Sequence, residues 1–253
     1  MFAPERRARI LDVARSEGRV EVAALAADLD VTQETVRRDL QTLQDDGLLQ
    51  RVHGGAVLVE ERAIEPSLAL REVAQTEQKA RIAQAALALL PPTGAIALDG
   101  GSTIHRFAEI LPADCSLTVI TNNLAVAMPL AEHRDLTVHI VGGRLRGATL
   151  TTAGEVALSY LGGVGVDVVF LGTNGFSLDR GLTTPDSAEA AVKRALIAAA
   201  RKRVLLTDVT KLGSDHFAHV AELSQIDVIV TDTGLDDVTA ARIESIGPKV
   251  IRA

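Results

Sequence analysis

The sequence predicts an α/β fold in two parts: an N-terminal winged helix-turn-helix domain and a larger α/β domain with a mostly parallel sheet. Three observations lead to this prediction. Residues 1–58 carry three short helical patterns and then a hairpin pattern. Beyond residue 76, apolar β-rich runs alternate with helical stretches. With 253 residues and 47% hydrophobic side chains, the chain can bury a full core and still carry a small second domain.

The N-terminal part begins with a helix that follows Pro4, a residue that favours the first helical turn, and that ends at Gly18. A second, brief helix is marked by Leu25 and Leu29. The third helix is capped by Thr32 and carries apolar residues at i, i+4 and i+7: Val36, Leu40 and Leu43. Burial of that stripe leaves Arg37 and Arg38 exposed.

A hairpin pattern follows the third helix, because two short β-prone runs, 48–52 and 56–59, are joined across His53, Gly54 and Gly55. Three helices followed by a hairpin are typical of a winged helix-turn-helix. The third helix is therefore predicted to enter a major groove of DNA.

The predicted DNA contacts lie on that third helix. Gln33 and Thr35 would lie near base edges, and Arg37 and Arg38 near phosphates or guanine. The alternative is that the two arginines are solvated charges and that Arg38 pairs with Glu34. A net charge of -7 argues against indiscriminate nucleic-acid binding but allows a small local contact.

Residues 59–75 are predicted to form a charged, irregular linker, and residues 76–253 a second domain. Six β-rich runs lie in that second domain: 95–99, 117–121, 136–141, 166–172, 204–208 and 227–232. Several are apolar almost throughout, as strands covered on both faces are. This pattern predicts a mostly parallel sheet.

The loops after the first four of these strands share a polar, glycine-containing chemistry: "DGGST" (99–103), "TNN" (121–123), "GGRLRG" (142–147) and "GTNG" (172–175). Ligands of open α/β sheets bind outside the carboxyl ends of the strands. In the first loop, two glycines, two hydroxyls and the start of a helix suit a phosphate or another anion. The alternative is that any sharp turn favours these residue types.

Other ligand classes lack their motifs. "GGST" has no Walker A lysine, and no His, Cys or carboxylate spacing predicts a metal, so we expect neither a metal nor a cofactor. The most apolar window, 85–98, is interrupted by prolines and a glycine and is too short for a membrane span. Because Cys115 has no possible partner in the chain and no signal peptide is evident, we expect a cytoplasmic protein.

The chain resembles the DeoR family of bacterial transcription regulators over nearly its whole length. The motifs that carry the resemblance are "TVRRDL", "RVHGGAV", "LDGGST", "VITNN", "VGGRLR", "FLGTNG" and "LLTDVTK", which occur in the order usual for the family. The resemblance implies a winged helix-turn-helix joined to a sensor domain related in fold to ribose-5-phosphate isomerase. It also implies that a phosphorylated sugar acts as the effector.

The resemblance assigns roles residue by residue. The implied readers of double-stranded operator DNA are Thr32, Gln33, Thr35, Arg37 and Arg38 on the helix, and Arg51, His53 and Gly54 on the wing. The implied effector pocket contains Asp99, Gly100, Gly101, Ser102, Thr103, Thr121, Asn122, Gly142, Gly143, Arg144, Gly172, Thr173, Asn174, Glu189, Lys193 and Lys211.

No catalytic residue is expected. The isomerases carry an acidic D-G-A-D-E run where this chain has "LGTNG", so Leu171 and Asn174 replace acids needed for proton transfer, although Glu189 persists. The hypothesis is a repressor of a sugar operon that acts as a homo-oligomer, dimer or tetramer, on paired half-sites. Its rivals are an active sugar-phosphate isomerase with a DNA-binding appendage and a protein-interaction adaptor.

Overall fold

The computed structural model describes residues 2–46, 48–52, 54–58, 67–112 and 114–253. The chain divides into two compact units, Met1–Gln75 and Thr76–Ala253. His53 of the predicted wing and residues 59–66 of the predicted linker lie outside the described residues. Among the helices in the described ranges, none is long and apolar enough to cross a membrane.

The first unit contains helices and a small antiparallel sheet. Its elements are α1 (Ala3–Glu17), β1 (Arg19–Glu21), α2 (Val22–Asp28), α3 (Gln33–Asp45), β2 (Leu49–Val52), β3 (Gly55–Leu58) and α4 (Leu68–Val73). The three strands are ordered β1-β3-β2 and all pairings are antiparallel. The three predicted helices and the hairpin are therefore present, with β1 as an additional strand.

Strand β1 explains one of the wing glycines. A Cβ atom on Gly55 would lie 2.0 Å from the backbone oxygen of Val20, so β1 can approach β3 only because this residue lacks a side chain. A three-residue strand such as β1 has no room for a clear alternating pattern, and the sequence did not predict it.

Part of the predicted linker is helical instead of irregular. Helix α4 occupies Leu68–Val73, and Leu70 is buried in the hydrophobic cluster of the first unit. Because charged residues surround this short apolar segment, the composition of the stretch did not indicate a helix. The predicted domain limits of 1–58 and 76–253 stay predictions.

The second unit is an α/β structure. Its helices are α5 (Thr76–Ala86), α6 (Ser102–Glu109), α7 (Leu124–Leu130), α8 (Glu155–Leu161), α9 (Ser187–Ala199) and α10 (Asp237–Ile246). Its strands are β4 (Gly94–Leu98), β5 (Leu117–Thr121), β6 (Thr137–Ile140), β7 (Arg144–Arg146), β8 (Thr151–Ala153), β9 (Val166–Leu171), β10 (Gly175–Ser177), β11 (Gly181–Thr184), β12 (Ala200–Leu206), β13 (Ala218–Ala221), β14 (Val228–Thr231) and β15 (Lys249–Arg252).

The main sheet has seven strands in the order β15-β14-β12-β9-β4-β5-β6, and every pairing is parallel. It is covered on both faces. In β9, Val168 and Phe170 belong to the hydrophobic cluster that includes α5, α6 and α7, whereas Val169 and Leu171 belong to the cluster that includes α8, α9 and α10. This is why the strand sequences are apolar almost throughout.

The predicted fold class is confirmed. All six predicted β-rich runs are strands of the main sheet, although β12 begins four residues earlier than expected. Strand β15 and two small antiparallel sheets, β10-β11-β13 and β7-β8, were not predicted. These strands have three or four residues each, too few to give a periodic signal.

Candidate effector site and DNA-binding surface

The four predicted polar loops lie side by side at the carboxyl end of neighbouring strands of the main sheet. Four neighbouring strands, β9, β4, β5 and β6, run parallel, so the loops after them lie at the same end of the sheet. Ligands of open α/β sheets bind at this carboxyl end of the strands. The predicted loops are thus brought together by the topology.

A buried ion pair joins the loops after β4 and β9. The Lys193 ammonium pairs with the Asp99 carboxylate and donates a hydrogen bond to the Gly172 oxygen at 3.0 Å. The Gly172 N–H donates to Asp99 at 3.0 Å. A Cβ on Gly172 would lie 2.8 Å from the Gly100 oxygen, so the close approach of the two loops requires glycine. Asp99 is 1% exposed and Lys193 is 7% exposed.

Glu189 lies one turn before Lys193 on α9 and is also buried. Its Oε1 accepts hydrogen bonds from Thr149 at 2.7 Å and from Thr151 at 2.5 Å. Burial by itself raises the pKa of Glu189, but the Lys193 ammonium, the two hydroxyls and Arg146 together hold that pKa below its ordinary value. The carboxylate is therefore charged at neutral pH.

Arg146 also contacts Glu189, although it was not among the predicted effector residues. We call Thr149, Thr151, Arg146 and Glu189 the Glu189 cluster. Its guanidinium pairs with Glu189 and lies 3.4 Å from Asp186, the residue that caps α9. The β7-β8 hairpin supplies Arg146, Thr149 and Thr151 together. The signal was present in the sequence, because Arg146 is the second arginine of the predicted "GGRLRG" loop; the first, Arg144, is exposed on β7.

The loop after β5 is hydrogen-bonded to β8. Asn122 Nδ2 donates to the Thr152 oxygen at 3.0 Å, and the Thr152 N–H donates to the Asn122 oxygen at 2.7 Å. Asn122 is buried, and its Oδ1 has no hydrogen-bond partner among the described residues. The neighbouring Thr121 hydroxyl accepts from the Asn123 N–H at 3.2 Å. A buried acceptor without a donor is unfavourable unless a ligand or water supplies one.

Helix α6 begins after β4, and its first two residues, Ser102 and Thr103, are buried. Gly101 is the N-cap residue, with φ of 125°, and no atom of the described residues lies within 4 Å of the position that its Cβ would occupy. Ser102 and Thr103 follow in the first turn. On the other side, a Cβ on Gly100 would lie 2.4 Å from Thr151 Cγ2, so this loop adjoins the Glu189 cluster. Free N–H groups at a helix N-terminus attract anions.

The other predicted effector residues lie around the same carboxyl end of the strands. Thr173 Oγ1 donates to the Gly175 oxygen at 2.8 Å, and Asn174 Oδ1 accepts from Thr184 at 2.9 Å. Gly142 and Gly143 follow β6, and Lys211 is half-buried in a 3-10 turn after β12. Within the described ranges, no group of three or more His, Cys, Asp or Glu side chains is arranged to hold a metal ion.

In the first unit, α3 is fixed by its own apolar stripe. Thr32 caps the helix by accepting from the Thr35 N–H at 3.2 Å, and its hydroxyl lies 2.9 Å from that of Thr35. The residues predicted to be buried, Val36, Leu40 and Leu43, are fully buried. Asp39 is also buried and accepts two hydrogen bonds from Arg6 of α1, at 2.5 and 3.2 Å.

Arg37 and Arg38 are exposed on α3, as the helical phase predicts. Arg37 donates to Gln33 Oε1 at 3.1 Å and lies 3.8 Å from Glu34, and Arg38 lies 3.6 Å from Glu34. The Arg38 side chain is 81% exposed. Such exposed pairs contribute little to stability, so both arginines can exchange Glu34 for a DNA phosphate.

The wing is held against α3 by Arg51. Its guanidinium donates to Gln41 Oε1 at 2.7 Å, and its backbone N–H donates to Gln44 Oε1 at 3.0 Å. Gly54 has φ of 80°, and no atom of the described residues lies within 4 Å of the position that its Cβ would occupy. These contacts fix the wing beside the face of α3 that carries the predicted DNA readers.

The Arg38→Ala variant is expected to bind operator DNA more weakly and to lower the slope of log affinity against log salt by about one unit, because one phosphate contact is lost. Binding to the DNA that flanks the gene would be measured over a salt series. Arg201→Ala, which removes an exposed arginine of the second unit, is the matched control. An unchanged slope in Arg38→Ala would mean that Arg38 does not contact phosphate.

A helix-turn-helix unit with exposed basic side chains, followed by an α/β unit with polar loops at its strand ends, defines a DNA-binding transcription regulator with a sensor domain. The chain belongs to the DeoR family. Residues 6–62 match the DeoR-like helix-turn-helix domain, and residues 74–233 match the DeoR C terminal sensor domain. The family is one of DNA-binding regulators, not enzymes.

Named relatives are similar over nearly the whole chain. The HTH-type transcriptional regulator GlpR of Haloferax volcanii is 37% identical over 99% of this chain and 98% of its own length. The glycerol-3-phosphate regulon repressor of Escherichia coli is 31% identical over 92% of each chain. Among solved structures, ribose 5 phosphate isomerase A from Neisseria gonorrhoeae is similar with a TM-score of 0.42, 20% identity and coverage of 56% of this chain and 55% of that one.

The resemblance to the DeoR family, the fold class and the assignment as a transcription regulator are thus confirmed. The DNA-reading and effector-binding residues stay predictions.

Proposed function

We propose that this regulator is a repressor of a carbohydrate-metabolism operon, and that a phosphorylated sugar or polyol binds at the strand-end crevice and weakens operator binding. The observation that carries the proposal is the N-terminus of α6 beside the buried residues Asp99, Lys193 and Glu189 and the half-buried Arg146. One end of this crevice suits an anion and the other suits hydroxyl groups.

The phosphate is assigned to the α6 N-terminus because the cations of the cluster are already compensated. Asp99, Asp186 and Glu189 give three negative charges against two positive charges from Arg146 and Lys193. These carboxylates would repel a phosphate group bound among them. No carboxylate of the described residues forms a hydrogen bond with the N–H groups or hydroxyls of Ser102 and Thr103, and the helix dipole favours negative charge there.

Hydroxyl groups of the effector are assigned to the cluster. The Thr149 and Thr151 hydroxyls and the Arg146 guanidinium contact Oε1 of Glu189, and we assign an effector hydroxyl to Oε2. Asn122 Oδ1 is a second acceptor, buried and without a donor among the described residues. A charged carboxylate and an amide oxygen are good acceptors for sugar hydroxyls, and a buried acceptor gains most when it is paired.

The names of relatives support the same class of effector and target. The Escherichia coli relative is called the glycerol-3-phosphate regulon repressor, and an Escherichia coli O157:H7 relative, 29% identical over 98% of this chain, is called a putative aga operon transcriptional repressor. Because DNA is the target and Cys115 has no possible disulfide partner in the chain, we place the protein in the cytoplasm.

Regulation requires that the effector bind two conformations unequally. A helix-turn-helix unit of this size contacts few base pairs, so we propose a homo-oligomer whose paired units address two half-sites about one helical turn apart. Avidity then supplements the modest local charge. The effector would act by changing the spacing between the paired units.

A thermal-shift comparison tests the effector class. Glycerol 3-phosphate and ribose 5-phosphate would be compared with glycerol, ribose and inorganic phosphate. At 100 times its dissociation constant, a ligand stabilises the native state by about 2.7 kcal/mol. We expect at least one phosphorylated compound to raise the melting temperature while its dephosphorylated form does not. Equal shifts with glycerol or ribose would contradict the assignment of phosphate to the α6 N-terminus.

A further inference from the structure

The Glu189 carboxylate, to which we assign an effector hydroxyl, is enclosed in this structure. Glu189 is 5% exposed, and Asn122, the second acceptor of the proposed site, is 2% exposed. A sugar cannot reach side chains that are covered so completely, so an element that covers them must move to admit it. The β7-β8 hairpin is such an element, because Thr149 and Thr151 contact Glu189 and the Thr152 oxygen accepts a hydrogen bond from Asn122.

The two sides of the hairpin are held by different kinds of contact. On one side, backbone hydrogen bonds join it to the residues after β5: the Thr152 N–H donates to the Asn122 oxygen at 2.7 Å, and the Leu124 N–H donates to the Leu150 oxygen at 2.9 Å. On the side of α9, hydrogen bonds and ion pairs come from side chains of the Glu189 cluster. The hairpin can therefore swing away from α9 while its backbone stays attached on the other side.

Glycines with positive φ stand at both ends of the hairpin. Gly143 precedes β7 with φ of 137°, and Gly154 follows β8 with φ of 105°. A Cβ on Gly143 would lie 2.7 Å from the Ala153 oxygen, so the two ends approach each other closely. Hinge positions absorb large changes of φ and ψ and are often small residues. The ends of the hairpin thus suit a hinge.

The closed hairpin is not fully satisfied at Glu189. The hydroxyl oxygens of Thr149 and Thr151 lie 2.6 Å apart, and they lie 2.7 and 2.5 Å from Glu189 Oε1. Three such contacts need three protons, but the two hydroxyls carry one proton each and the charged carboxylate carries none. One contact is therefore repulsive. Leu150, between the two threonines, has φ of 57°, which is unfavourable for a residue with a side chain. Opening the hairpin can relieve both costs.

We propose that the β7-β8 hairpin is a lid on the effector site, held closed by the Glu189 cluster in the free protein and swung away from α9 when the effector enters. The closed hairpin and an effector hydroxyl compete for the space beside Glu189, so they exclude one another. This inference rests on the proposed function, because it assigns a regulatory element to the same site. The free and bound proteins then differ in the position of the hairpin, as unequal binding to two conformations requires.

Hydrogen–deuterium exchange of the full chain without ligand tests the opening. The double variant Thr149→Val and Thr151→Val removes both hydroxyls at nearly constant volume. We expect residues 144–151 to exchange about tenfold faster or more in this variant, because hydrogen bonds to a charged group are lost, while exchange in β9 is unchanged. Thr137→Val, at an exposed position of β6, is the matched control and should exchange as the wild type does.

Two results of this measurement would overturn the lid. One is hairpin exchange that the double variant leaves unchanged. The other is wild-type hairpin exchange no faster than that of β9, since the hairpin would then open only when the whole unit unfolds. The second result needs no variant at all. Each single variant keeps one hydroxyl and should show an intermediate rate, and thermal unfolding checks that every variant keeps its fold.

Binding of glycerol 3-phosphate and ribose 5-phosphate, measured by isothermal titration calorimetry, tests the gating. Because the closed hairpin competes with the effector, the double variant should bind more tightly than the wild type, by about the factor found in exchange. The Thr137→Val control should bind as the wild type does. A double variant that exchanges faster but binds no more tightly would overturn the lid alone. If neither compound bound the wild type or the double variant, the proposed effector class would be wrong, whatever the exchange of the hairpin.

Discussion

Lys193→Met is expected to destabilise the second unit by about 3–5 kcal/mol, because it leaves Asp99 buried without its countercharge. The ammonium also donates to the Gly172 oxygen, so the loops after β4 and β9 lose a shared donor. Unfolding in urea, followed by circular dichroism, would measure the loss.

Two further variants isolate the cause. Lys249→Met removes an exposed lysine from β15 and should change stability by no more than about 0.5 kcal/mol. The double variant Asp99→Leu and Lys193→Met removes both charges and should recover much of the loss, since a buried pair replaced by apolar groups is often neutral. If Lys193→Met were as stable as Lys249→Met, the buried pair would not support the crevice.

Arg6→Met is expected to destabilise the helix-turn-helix unit by a similar amount, about 3–5 kcal/mol, because Asp39 would be left buried on α3 without its guanidinium. This pair joins α1 to the helix that carries the predicted DNA readers. The variant should therefore also bind operator DNA more weakly, although Arg6 itself is only slightly exposed. Calorimetric unfolding and DNA titration would measure the two effects.

Arg9→Met removes an exposed arginine from the same helix and provides the control. It changes the net charge by the same amount, so a purely electrostatic effect on DNA binding would appear equally in both variants. A loss of DNA affinity in Arg6→Met without any loss of stability would mean that Arg6 acts on DNA directly, and the positioning role of Asp39 would be wrong.

The sequence was sufficient for six of the seven strands of the main sheet, because the covered strands obey a simple rule. Strands covered on both faces are apolar almost throughout, and β4, β5 and β9 could be recognised by this property alone. The helical phase of α3 likewise predicted which side chains are exposed, since the period of 3.6 residues needs no tertiary information. Short elements such as β1, β7 and α4 carry no comparable signal.

The chemistry of the crevice was only partly predictable. Glycine-rich loops at strand ends indicated where a ligand could bind, but the Glu189 cluster depends on the β7-β8 hairpin, which brings Thr149 and Thr151 to α9 across some 40 positions of sequence. Burial and charge compensation are properties of the folded chain. Hence the sequence could suggest Lys193 as an effector ligand without revealing that Asp99 already holds it.

Operator affinity in the presence and absence of the sugar phosphate found by the thermal-shift comparison tests the central claim most directly. It would be measured for the wild type and for Ser102→Glu, which places a carboxylate at the α6 N-terminus. We predict that the ligand weakens operator binding of the wild type, and that Ser102→Glu binds the operator normally but no longer responds. A normal response in Ser102→Glu would contradict the assignment of the effector to this crevice.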